Sequence, residues 1–101
     1  MKMLITKEFA AYNDRRYGKP WAARLTISPD LKLQYEFIGN WSGNRGSSGK
    51  LFFQAEPGTY VATGQKDHRG NGTSRDYYLV QEDGSLKEID KADLIQALAS
   101  A

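Results

Sequence analysis

Cysteine is missing altogether, and histidine occurs once in 101 residues. Disulfides and thiolate metal sites are therefore excluded, and a single imidazole is too little for an ordinary zinc centre. No apolar run approaches the length of a membrane span, so no membrane association is expected. The opening MKMLITKEF has a cation near its start, but its apolar stretch breaks at Lys7 and Glu8. It does not read as a signal peptide, which makes the cytoplasm the expected location. Motifs for chemistry are equally scarce. The glycine-rich run GNWSGNRGSSGK ends in Lys50, but Leu51 and a strand pattern follow where a phosphate loop needs Ser or Thr opening a helix. His68 lies beside Asp67 in the chain, and neighbours in sequence rarely face one another for acid–base work. The triplets Asn40-Trp41-Ser42 and Asn71-Gly72-Thr73 match a glycosylation signal. Without a secretory leader they mark only polar loops. No catalytic residue, metal or cofactor is assigned, and an enzyme is not expected.

What the chain does have is aromatics and turns: twelve Phe, Trp or Tyr and ten Gly, a balance that favours strands joined by sharp bends. Leu31, Leu33, Tyr35 and Phe37 alternate with Lys32, Gln34 and Glu36, the period-two pattern of a half-buried strand. In residues 20–27, Trp21, Ala23, Leu25 and Ile27 fall on one face, and Ala22, Arg24 and Thr26 on the other. Only Ser28-Pro29-Asp30 separates the two runs, so they form a hairpin. Trp21, Leu25, Leu33, Tyr35 and Phe37 should then share a core face. Further strands are expected at 3–8, 50–56, 59–65, 75–81 and 85–89. Pro57-Gly58 suits the centre of a type II turn, and Glu82-Asp83-Gly84 makes another. Asp90 reads as the N-cap of a closing helix whose apolar face is Leu94, Ile95 and Leu98. The fold class expected is all-β to α+β: one domain over 1–101, a curved or partly closed antiparallel meander of five to six strands with a short C-terminal helix.

In a meander, connections alternate between the two ends of the sheet. The tight turns at 28–30, 57–58 and 82–84 then share one end. The long segments 39–49 and 66–75 share the other, together with YNDRRYGKP leading into the strand at 20. That second end carries Arg15, Arg16, Lys19, Arg45, Lys50, Lys66, Arg69 and Arg75 against Asp14, Asp67 and Asp76, a local charge of +5 where the whole chain has only +2. Tyr12, Tyr17, Trp21, Trp41 and His68 are interleaved with these cations. Arginine with aromatic rings suits both a protein-binding hot spot and nucleic-acid stacking. The residues expected to meet a partner are Tyr12, Arg15, Arg16, Tyr17, Lys19, Trp41, Arg45, Lys66, His68, Arg69 and Arg75. The alternative is plain: Trp21 and Tyr17 pack internally and the charges are a solvated end.

The run KEFAAYNDRRYGKPWAARL followed by GQKDHRG, with the closing DGSLKEI and its short helix, resembles small proteins carried by bacteriophages and mobile elements. The resemblance extends over most of the chain. It implies a small accessory protein that binds and inhibits a host protein or nucleoprotein complex, as anti-CRISPR and related anti-defence proteins do. No residue role follows from it. Direct nucleic-acid binding by a small β-barrel, through the basic aromatic end, is the alternative function.

Overall fold

Period-two alternation gives a strand one face to bury, and this chain spends it on two stacked sheets. The computed structural model describes residues 2–9, 20–43, 49–66 and 72–100. Its strands are β1 (Met3–Phe9), β2 (Pro20–Ile27), β3 (Leu33–Ile38), β4 (Asn40–Gly43), β5 (Gly49–Ala55), β6 (Tyr60–Lys66), β7 (Gly72–Val80) and β8 (Leu86–Glu88). The chain closes with α1 (Lys91–Ala99). The first sheet has the order β1-β5-β4 and the second β3-β2-β6-β7-β8, with every described pairing antiparallel. The β-dominated antiparallel class with a short C-terminal helix is what forms, and both sheets have free ends. Among the described residues eight strands carry it where five or six were expected, partly because the stretch read as one long loop from Gly39 contributes β4.

The turns follow their residue chemistry. Thr59 N–H donates to Glu56 O at 3.1 Å across Pro57-Gly58, and Gly58 takes the positive φ of +90° that a type II turn needs. At 81–85, Gly84 N–H donates to Gln81 O at 2.9 Å, and Asp83 accepts from both the backbone and the hydroxyl of Ser85. The β2–β3 turn runs two residues longer than Ser28-Pro29-Asp30 suggested. Leu31, read as strand, sits at φ 65° and is exposed, so the alternation starts at Leu33.

Between the sheets lies the main core: Ile5, Leu51, Phe53 and Ala55 from one side, Ala22, Val61 and Val80 from the other. Trp21, Leu25, Leu33, Tyr35 and Phe37 do share a face, since Ala23 pairs with Phe37, Leu25 with Tyr35 and Ile27 with Leu33. That face is the opposite one. It forms a second cluster under α1, where Leu25, Ala62 and Leu94 are buried and Leu33 only partly so. The expectation of a core there holds for Leu25 and fails for Phe37, whose surface stays 65% exposed. The helix starts where Asp90 predicted, but the Asp90 side chain makes no capping bond.

Candidate binding surface

The two sheets share their ends. Met3 approaches Gly84 closely enough that a Cβ there would lie 3.1 Å from the Met3 methyl, which puts the start of β1 at the tight-turn end. Further along β1, the Lys7 amine reaches Thr63 in the middle of β6 and the Tyr78 hydroxyl of β7. The registers complete the picture: Gly49 pairs with Phe9 and Gly43, Pro20 with Gln65, and Lys66 with Gly72. So the strand ends flanking 10–19, 44–48 and 67–71 collect opposite the turns at 28–32, 56–59 and 81–85. Of the residues expected to meet a partner, Tyr12, Arg15, Arg16, Tyr17, Lys19, Arg45, His68 and Arg69 lie outside the described residues. Trp41 lies in β4, Lys66 ends β6, and Arg75 lies on β7. Lys50, from the same basic end, stands 3.9 Å from Glu8 in an exposed pair that contributes little.

Arg75 is the centre of a built surface on the outer face of the five-stranded sheet. Trp21, Gly64 and Arg75 form one row across β2, β6 and β7, and Phe37, Ala23, Ala62 and Tyr77 form the next. Small residues therefore floor the middle of the sheet and large ones wall it. With no side chain at Gly64, the Arg75 guanidinium lies across β6, 5.9 Å from the Trp21 ring centre and 5.1 Å from that of Tyr35. It donates to the Tyr35 hydroxyl at 3.1 Å, and that oxygen is 3.3 Å from the Tyr77 hydroxyl. Trp21 meets Tyr35 and Phe37 edge-on, at 6.3 and 5.6 Å between centres. Burial, then the hydrogen bond with Tyr77, pushes the Tyr35 phenol above its ordinary pKa, although Arg75 pulls the other way. Burial also works against the Arg75 charge, but its bonds to Tyr77 and Tyr35 outweigh that and hold it above the usual arginine value.

Helix α1 is shorter than the strands of this face and packs on its Leu25–Ala62 part. Nine helical residues span about 13.5 Å, whereas the eight residues of β2 span about 26 Å. Leu94 and Leu98 pack toward Leu25 and Ala62, Trp21 is partly buried against the same cluster, and Phe37 stays exposed. Tyr35, Phe37 and Tyr77 are the members that sequence reasoning did not assign to the surface. The alternation of Tyr35 and Phe37 spelled burial, and the signal available was the shortness of the helix meant to cover them.

A second polar cluster points the other way. Lys7 faces the space between the sheets. Its amine donates to Thr63 Oγ1 at 2.7 Å and Tyr78 OH at 2.9 Å, lies 4.7 Å from the Tyr78 ring centre, and is 3.7 Å from Asp76. The first of these contacts gives a donor to Thr63, the one buried polar side chain among the described residues. The arrangement ties β1 of one sheet to β6 and β7 of the other. Among the described residues no cluster of His, Asp and Glu could hold a metal ion, and no helix is long and apolar enough to cross a membrane.

No family model matches the chain, and neither does any curated protein or solved structure.

Proposed function

We propose that this protein is a non-enzymatic binding module that engages a host protein or nucleoprotein complex through the outer sheet face around Phe37 and the basic end beside it. The observation that carries the reading is Phe37, 65% exposed and held edge-on by Trp21 next to a guanidinium stacked on two rings. Exposed aromatic anchors beside arginine are the usual composition of an interface hot spot. Edge-on packing fixes Phe37 before any partner arrives, which reduces the ordering cost of binding. The +5 charge of the adjoining segments calls for a partner with an acidic rim. Inhibition of a host component, in the manner of anti-defence proteins, is the role that fits a small binding protein resembling those of phages.

The same surface favours protein over direct nucleic-acid binding. A stacking platform needs free ring faces. Here Arg75 already occupies those of Trp21 and Tyr35, and a base would have to displace it. The test is a pull-down from bacterial lysate with the wild-type chain and with Phe37→Ser, each with and without nuclease. A captured protein that resists nuclease and disappears with Phe37→Ser supports the reading. Capture that nuclease abolishes transfers the site to nucleic acid, and capture unchanged by Phe37→Ser removes this face from the function.

A further inference from the structure

The backbone of β3 adds a feature that side chains alone do not reveal. Strand β3 ends its sheet, and nothing among the described residues pairs with its outer edge. Which groups that edge offers can be worked out from the hairpin. Ser28 N–H donates to Lys32 O at 2.9 Å, so residues 28 and 32 are a hydrogen-bonded pair. Such pairs alternate along an antiparallel ladder. Thr26–Gln34, Arg24–Glu36 and Ala22–Ile38 are then the bonded pairs, and Leu33, Tyr35 and Phe37 turn their N–H and C=O groups outward. These are the residues whose side chains line the aromatic face. Edge hydrogen bonds and the exposed ring thus belong to the same three positions.

Among the described residues, the other unpaired edges are protected. Strand β8 has three residues and β4 four, too short to template a partner. Strand β1 is long, but it carries the inward-pointing Lys7, a charge that a new neighbouring strand would bury further. Strand β3 has six residues and no proline or bulge, and its one carboxylate, Glu36, is held 3.0 Å from Arg24.

We infer that β3 is a strand-addition site, and that its occupant is an extended acidic segment of the partner protein. This rests on the binding-module reading above and specifies how the partner is held. The segment lies antiparallel to β3 and exchanges backbone hydrogen bonds with Leu33, Tyr35 and Phe37. On the outer face it places a carboxylate beside Tyr35, where the Arg75 guanidinium lies, and apolar side chains beside Leu33 and Phe37. Charge selects this occupant over a second copy of the chain. Two β3 strands paired about Tyr35 would bring two Tyr35–Arg75 groups together, like charge against like.

The test uses the capped peptide Thr-Val-Thr-Glu-Thr-Val-Thr, which reads the same in both directions, and its counterpart with Lys in place of Glu. Amide hydrogen exchange is followed residue by residue. In the free protein, Leu33, Tyr35 and Phe37 should exchange quickly and Gln34, Glu36 and Ile38 slowly. The Glu peptide should slow the first three by about tenfold or more, and the Lys peptide should not. Total synthesis with the Phe37 amide replaced by an ester removes one outward N–H and keeps the side chain. It should leave the melting temperature unchanged and weaken the Glu peptide about tenfold. Equal protection by both peptides, or no protection by either, overturns the proposal. So does equal affinity of the ester, or protection that appears without peptide as protein concentration rises, the mark of a second copy. If Phe37 and Trp21 resonances respond while the three amides do not, strand addition is wrong and the aromatic face survives.

Discussion

The two faces of the five-stranded sheet are written in the same alternating code and end up in different states. On the inner face Ala22, Val61 and Val80 are at most 1% exposed, sealed by the three-stranded sheet. On the outer face the same strands hold Leu25 under a helix at one end and leave Phe37 in solvent at the other. Alternation fixes which residues share a face. What covers that face depends on the length and position of another element, and here the cover is half as long as the strands.

The sharpest way to break the comparison is to hollow each face in turn. Phe53→Ala, in the sealed core, should cost about 3–5 kcal/mol in denaturant unfolding. Leu33→Ala, under the edge of the helix, should cost about 1–2 kcal/mol, less than a full core truncation because the side chain is only partly buried. Equal losses would mean that the outer cluster is as well sealed as the inner one. Between these falls Gly39→Ala. Gly39 sits at φ +93°, where β3 leaves one sheet and β4 joins the other, and a Cβ there would lie 2.9 Å from the Phe52 carbonyl oxygen. Strain and clash together should cost about 1–3 kcal/mol, and a neutral result would show that the crossing can relax.

Smaller effects sharpen the picture at the helix. Asp90→Ala should lose only about 0.3–1 kcal/mol, the charge–dipole part, since no side-chain cap exists to be removed. High salt should erase most of that difference, and a loss that survives salt would mean that a cap does form in solution. Smallest is the pH response of Tyr35. Its folded pKa is raised, so the folded state holds the proton more tightly than the unfolded state. Its contribution is complete below the ordinary phenol value and is lost as pH climbs through the raised one. Phenolate absorbance should show a late-titrating tyrosine that Tyr35→Phe removes, and titration unchanged by that substitution would contradict the part-buried Tyr35–Tyr77 hydroxyl pair.

Local chemistry explains what could be read in advance. Pro57-Gly58 and Glu82-Asp83-Gly84 each demand a particular backbone, so those turns, and hence the grouping of tight turns at one end, were legible. The start of the helix was too. Pairing between distant segments was not: nothing local states that β2 lies beside β6 or β1 beside β5. Strand β4 escaped because Asn-Trp-Ser-Gly offers no alternation over four residues. Leu31 misled because the alternation continues into the turn. Lys7 looked like the end of an apolar stretch, whereas it is an inward residue satisfied by Thr63 and Tyr78. Of the residues expected at the candidate surface, Arg75 lies on the outer sheet face, and eight others lie outside the described residues. Phe37 and Tyr35 were not legible as surface, since their exposure depends on how far α1 reaches.

The pairing of Met3 with Ala55 has a consequence for how the molecule is made. As the chain emerges from a ribosome, β1 leaves before its partner, which follows 52 residues later. At ordinary synthesis rates that delay is about 3–10 s. Throughout it Leu4 and Ile5 have no sheet to join, and β2 likewise waits for β6. Lys2, Lys7 and Glu8 flank that apolar stretch, and their charges keep the nascent strand in water until its neighbour exists.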